Sequence, residues 1–260
     1  FIAAVTAVEP TPAIHHAPRP GPRGAELDFQ APQLVATTSA TSVVAREAEL
    51  ARLHQWWAAA RQGERRIGWI AGEAGIGKTS LVETFIAQVA TPDTVWIGHG
   101  QCIEQYGAGE AYLPLLEAVG RLGRSLHGTP LVELMWQVAP SWLAQLPTLV
   151  SAHDLATLQQ RGYGTTRERM LRELAELVEL LSGSDPLILV LEDLHWSDTS
   201  TLEWLAYVAR RRESARLLVL GTYRPVEAIV RAHPLRSVVR ELQRHDQCDG
   251  HFANSGQTSR

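Results

Sequence analysis

Cysteine is almost missing from this sequence: Cys102 and Cys248 are the only two, and they lie far apart. That excludes a disulfide framework, leaves no pair at metal-ligand or redox spacing, and fits a reducing compartment. No apolar run reaches membrane-spanning length, and no charged-then-apolar leader opens the chain. The expected location is therefore the cytoplasm, away from any membrane. Neither sign of charge dominates, and a net charge of -4 gives no overall attraction to nucleic acid. Arg210-Arg211-Arg212 reads as a solvated helix end. The first residue is Phe1 and not Met, which suggests a segment of a longer or processed product. What is present is 260 residues with 45% apolar content, enough to bury a core in one large or two small domains.

Within it, Gly72-Glu73-Ala74-Gly75-Ile76-Gly77-Lys78-Thr79 matches the phosphate-loop pattern G-x-x-x-x-G-K-[ST]. The glycines permit positive φ and close approach to a ligand, and the successive N–H groups of such a loop form an anion nest. A helix beginning near Gly77 adds unpaired N–H groups and the positive end of its dipole. Lys78 offers a mobile charge for the β- and γ-phosphates of ATP, and the Thr79 hydroxyl, with Ser80 beside it, suits Mg²⁺. The flanks support the motif. Ile67 to Ala71 is a short apolar run, and Leu81, Val82, Phe85, Ile86 and Val89 recur at helical spacing.

Prolines from Pro10 to Pro32 mark residues 1–42 as an extended or disordered linker. Residues 43–248 alternate helices and strands. Leu50, Leu53, Trp57 and Ala60 share a helical face that Gly63 ends. A second strand is expected over 94–98, followed by an irregular loop containing Gly98, Gly100, Gly107 and Gly109. Helical segments follow over 112–122, 131–142 and 155–160, then a helix opened by a capping box at Thr165-x-x-Glu168. Residues 187–191 and 217–220 read as strands buried on both faces, and Asp198 or Ser200 caps the helix between them. The expected fold is an α/β P-loop NTPase: a parallel sheet covered by helices on both faces, with a helical insertion between the second and third strands. The polar residues 249–260 read as a disordered tail.

The strand over 187–191 runs into Glu192-Asp193. An apolar strand ending in acids is the usual partner of a phosphate loop. One acid can hold Mg²⁺ and the next can orient or deprotonate water. By position Glu192 is on the metal side and Asp193 on the water side, although the Glu-Asp order reverses the common one and leaves those roles open. Arg224, at the end of the next strand, is placed to sense the γ-phosphate. His195 and Trp196 read as a packed turn, Cys102 as a buried apolar residue, and Tyr106 and Tyr112 as packing groups.

Taken together, Val43-Val44-Ala45-Arg46-Glu47, the phosphate loop, residues 189–198 (LVLEDLHWSD) and residues 221–225 (GTYRP) resemble the origin-recognition-like AAA ATPase module of STAND-type bacterial transcriptional regulators. The resemblance implies an ATP-binding switch with slow hydrolysis, in which Val43, Val44 and Arg46 lie near adenine, Lys78 meets the phosphates, Thr79 and Glu192 hold Mg²⁺, and Arg224 acts as sensor. It implies ATP or ADP as ligand and admits self-association through the ATPase domain. That family continues into a last strand, a helical lid and repeats. Residues 249–260 do not resemble that continuation, so the lid is expected to be absent. Phe1-Ile2-Ala3 is similar to the last strand of a winged helix, so DNA would be met only through an upstream domain not in this chain. Two other readings stay open: a non-hydrolysing nucleotide scaffold that acts through partner contacts, and a P-loop small-molecule kinase.

Overall fold

The computed structural model describes residues 46–90, 95–104, 110–125, 128–161, 166–244 and 249–252. The expected linker over 1–42, together with Val43, Val44, Ala45, Tyr106, Thr165 and Cys248, lies outside these residues.

In chain order the elements are α1 (Glu47–Arg61), β1 (Arg66–Ala71), α2 (Lys78–Val89), β2 (Trp96–Gln101), α3 (Leu113–Gly123), α4 (Gly128–Val138), α5 (Pro140–Leu143), α6 (Ala152–Arg161), α7 (Arg167–Ser184), β3 (Leu187–Glu192), α8 (Thr199–Arg210), β4 (Leu217–Tyr223), α9 (Pro225–Val230), α10 (Leu235–Arg244) and β5 (Asp249–Phe252). The strands form one parallel sheet in the order β2-β3-β4-β1-β5. The fold is α/β, as the alternation of elements implies.

The continuous apolar strands are buried on both faces because the pleat sends alternate side chains to two cores. Ile67, Trp69, Leu187, Leu189, Leu191, Leu217 and Val219 pack with Leu115 and Leu122 of α3, Leu174 and Leu177 of α7, and Leu202 and Leu205 of α8. Ile70, Ile188, Val190, Leu218 and Leu220 pack instead with Leu53 and Trp57 of α1 and with Leu81, Val82 and Phe85 of α2. The insertion between β2 and β3 is helical, and its apolar faces are used up in the first core: Met135, Trp142 and Leu143 are fully buried. Glu173 of α7 ties α5 down by accepting from Ser141 N at 2.9 Å, and the Trp142 indole donates to Met170 O at 2.7 Å.

Four local readings change. Gly98 and Gly100 belong to β2 and not to a loop. A Cβ on Gly100 would stand 1.8 Å from Pro114 O, so the glycine allows the start of α3 to press onto the strand. Thr166, not Thr165, caps α7, accepting from Arg169 N at 3.2 Å. Residues 249–252, expected to be part of a disordered tail, add β5 to the open edge of β1. There, backbone pairing along an exposed strand outweighs the polar composition. Arg211 is not simply solvated: its guanidinium pairs with Glu179. The cap of α8 is Asp198, whose carboxylate accepts from Thr201 N at 2.9 Å. Among the described residues, no helix is long and apolar enough to cross a membrane.

Candidate functional site

Because the strands are parallel, β1, β3 and β4 all release their following loops at one edge of the sheet, the usual place for a ligand crevice. The phosphate loop leaves β1, the acidic pair ends β3, and Arg224 follows β4. The Gly72 N–H donates to Tyr223 O at 3.2 Å, which fastens the loop to the end of β4.

Gly75 and Gly77 have φ of +74° and +81°, the left-handed region that favours glycine. Gly77 stands at the N-terminus of α2, so the turn and the first N–H groups of the helix share one concavity. Glu73, Ala74, Gly75, Thr79 and Ser80 are exposed there, and Ile76 is half-buried. Lys78 is 9% exposed, and its Nζ donates to Gly72 O at 2.8 Å and Glu73 O at 3.0 Å. Burial, then the charge of Arg224, lowers the Lys78 pKa, while Asp193, Glu73 and Glu227 oppose the shift. Arg46, next to α1, donates from Nη1 to Gly77 O at 2.9 Å and so supports the loop. Val44 falls outside the described residues.

On the facing strand, Glu192 is buried with His99 Nε2 3.5 Å from its Oε2. Its carboxyl is held below the usual range by the hydrogen bond from His99, against the opposing effect of burial, with the Thr79 hydroxyl and the Lys78 charge adding to His99. Glu192 Oε1 is buried without a hydrogen-bond partner. Asp193 has a positive φ of 55°, and its N–H donates to Thr222 Oγ1 at 3.0 Å. This left-handed conformation ends β3 at Glu192 and starts the following 3-10 turn. Lys78, Thr79, Glu192, Asp193 and Arg224 thus belong to one electrostatic neighbourhood.

Three further residues were not legible as site residues. His99 sits on β2, in the stretch read as a loop. His195 is completely buried in a short 3-10 turn, with Nδ1 accepting from Arg224 N at 3.4 Å and Nε2 3.0 Å from Glu227 Oε2. Glu227 Oε1 accepts from Arg224 Nη1 at 2.6 Å. His99 lies in a Gly-His-Gly stretch that carries no strand signal, so its place beside Glu192 comes from the sheet pairing. The His195–Glu227–Arg224 set forms only through space. Cys102 is buried, and burial pushes its thiol pKa up. Tyr112 is buried against Trp142, and its hydroxyl, pushed up to about 12 by burial, donates to Arg167 O at 3.0 Å. Both fit a packing role.

The donor set suits a hard cation bound with a triphosphate. Glu192 Oε1 is buried without a hydrogen-bond partner, and the Thr79 hydroxyl lies near enough to the same carboxyl to help lower its pKa. Among the described residues, no group of three or more His, Cys, Asp or Glu stands ready as a metal cage. Mg²⁺ bound with a nucleotide is usually held by one or two protein groups plus phosphate oxygens.

A family profile described as an AAA ATPase domain matches residues 42–220. An uncharacterized protein of Rhizobium meliloti (strain 1021) is 26% identical over 212 residues, covering 77% of this chain and 20% of that protein. The chain therefore spans about a fifth of the curated relative it matches. Among solved structures, Drosophila ORC bound to DNA is similar at 12% identity and a TM-score of 0.40, covering 81% of this chain and 91% of that one. Drosophila ORC bound to GC-rich DNA and Cdc6 is similar at 12% identity and a TM-score of 0.41, covering 83% of this chain and 59% of that one.

Proposed function

The chain belongs to the AAA ATPase domain family, and from that premise we propose that it is an ATP-Mg²⁺-binding switch module with slow ATPase activity, serving a signal-transducing transcriptional regulator. The family implies nucleotide binding. The single observation that carries the finer reading is the junction at the crevice: the loop after β1 is fastened to the end of β4 by the Gly72 N–H on Tyr223 O, and beside it the end of β3 buries Glu192 with its Oε1 left without a hydrogen-bond partner.

The residues divide the work by position. The loop N–H groups and Lys78 hold the β- and γ-phosphates, and Lys78 must first leave the carbonyls of Gly72 and Glu73. Thr79 and Glu192 would hold Mg²⁺, which when bound neutralises charge on the β- and γ-phosphate oxygens. Asp193, more exposed than Glu192, orients the attacking water and accepts its proton. The water oxygen bonds to the γ-phosphorus, the bond to the bridging oxygen breaks, and ADP leaves with the electron pair. Arg224 meets the γ-phosphate and so distinguishes ATP from ADP. The regulator role rests on the resemblance carried by residues 189–198 and 221–225, and self-association is part of that reading.

The kinase reading has less behind it: among the described residues, the inserted helices pack Leu131, Met135, Trp142 and Leu143 into the core. A non-hydrolysing scaffold is separated from the switch by phosphate release. Wild-type protein with Mg-ATP should release phosphate above background, and Asp193→Asn should remove that release while retaining nucleotide binding. Binding without release in the wild type would leave the scaffold as the correct reading.

A further inference from the structure

Arg224, read above as the γ-phosphate sensor, has its guanidinium already engaged. Nη1 donates to Glu227 Oε1 at 2.6 Å, an i,i+3 pair at the start of α9. Glu227 is held in turn from its other side. Its Oε2 lies 3.0 Å from His195 Nε2, off the line of a well-formed hydrogen bond, and His195 is 0% exposed. The imidazole is fixed by its own packing and by the Arg224 N–H on Nδ1, so it acts as a buried wall that sets where the Glu227 carboxylate can stand. Arg224 Nε is buried and without a hydrogen-bond partner. The guanidinium and Glu227 line an open cleft of about 430 Å³ with Trp196 and Arg231, which gives the side chain room to move.

We propose that Glu227, set in place by His195, is a positioning residue that docks the Arg224 guanidinium and competes with the γ-phosphate for it. This rests on the reading of the crevice as a nucleotide site. The chemistry is a contest between two anions for one guanidinium. A carboxylate makes a charge-assisted, directional bond to Arg224, and a terminal phosphate offers the same kind of bond with more charge. ADP has no phosphate at that position and leaves the dock intact. The strength of the dock therefore lowers the affinity for ATP and leaves that for ADP alone, so it sets the preference between the two.

The test is the ratio of ADP to ATP dissociation constants, with Mg²⁺ present, in the full chain. Glu227→Gln keeps size and one hydrogen-bond acceptor but removes the charge, and its side chain is 29% exposed, so the fold should tolerate it. The expected result is about a fivefold rise in ATP preference, with ADP affinity unchanged. In an Arg224→Ala background, Glu227→Gln should add nothing, since the dock then has no cargo. His195→Gln should move the ratio in the same direction by less. A ratio that stays put or falls in Glu227→Gln overturns the dock, even where the wild type binds both nucleotides and Lys78→Ala binds neither. If the wild type binds neither nucleotide, the nucleotide reading itself fails and takes the dock with it.

Discussion

His99 Nε2 stands 3.5 Å from Glu192 Oε2, which ties the middle of β2 to the acidic end of β3. The imidazole is half-buried and the carboxylate buried, so the contact is only partly screened by water. A carboxylate oriented for a cation depends on the neighbour that fixes its rotamer. His99→Ala should therefore raise the Mg²⁺ concentration needed for half-maximal phosphate release by about tenfold. Magnesium titrations at saturating ATP check this. An unchanged magnesium requirement would leave His99 as packing only.

Glu192 and Asp193 should fail in different ways. Glu192→Gln should show its loss mainly as a higher magnesium requirement. Asp193→Asn should lower the maximal rate by about a hundredfold or more with KM little changed, as expected for loss of the group that takes the water's proton. Steady-state kinetics on both variants assign the roles that the reversed Glu-Asp order leaves open.

Away from the site, Arg65, just before β1, links the start of that strand to α7 and α8. It donates to Val208 O at 3.0 Å, Arg211 O at 2.6 Å and Glu179 Oε1 at 2.8 Å, and its side chain is 7% exposed. Glu179 also pairs with Arg211. Glu179→Ala leaves two cations close together, one of them buried, and should cost about 3 kcal/mol of folding stability. Urea denaturation measures it, and a loss under about 1 kcal/mol would show that the pair is dispensable.

His233 gives a pH dependence of known sign. Its Nε2 bonds Ser197 O at 2.9 Å and its Nδ1 accepts from Leu235 N at 3.3 Å, which fixes the neutral Nε2–H tautomer. Burial lowers its pKa, the Ser197 carbonyl opposes, and Arg231 adds to the lowering. The unfolded chain therefore takes up the proton at higher pH than the folded one. Stability is full above the ordinary histidine range and falls as pH drops through it, until the folded pKa is reached. Between pH 7.5 and 5.5 the denaturation midpoint should fall, and His233→Gln should make that fall shallower. A steeper or unchanged slope in the variant contradicts the assignment.

How much of this was readable from residues alone depended on locality. β1, β3 and β4 are unbroken apolar runs, and a strand buried on both faces needs nothing else to be recognised. The phosphate loop and the acids at the end of β3 each lie within a few consecutive residues. β2 was placed too early because Gly98, His99 and Gly100 look like a turn. Only the fold shows why glycine is there: α3 presses backbone against Gly100, and a Cβ on Gly98 would come within 2.7 Å of Leu189. β5 was missed because an edge strand is set by the backbone groups it meets, and Asp249 and His251 carry no apolar signal. His99, His195 and Glu227 were missed for a third reason. Each acts on a residue from another element, and no spacing along the chain encodes that meeting.

The most direct test of the crevice as one nucleotide site is a thermal melt with and without Mg-ATP, on wild type and Lys78→Ala. At a hundredfold excess over its dissociation constant, ATP adds about 2.7 kcal/mol, which for a domain of this size corresponds to a rise of roughly 5–10 °C. Wild type should show that rise, and Lys78→Ala should melt near the wild-type apo temperature and not move. No rise in folded wild type, or an equal rise in Lys78→Ala, would mean that the loop after β1 and the acids after β3 do not share a triphosphate.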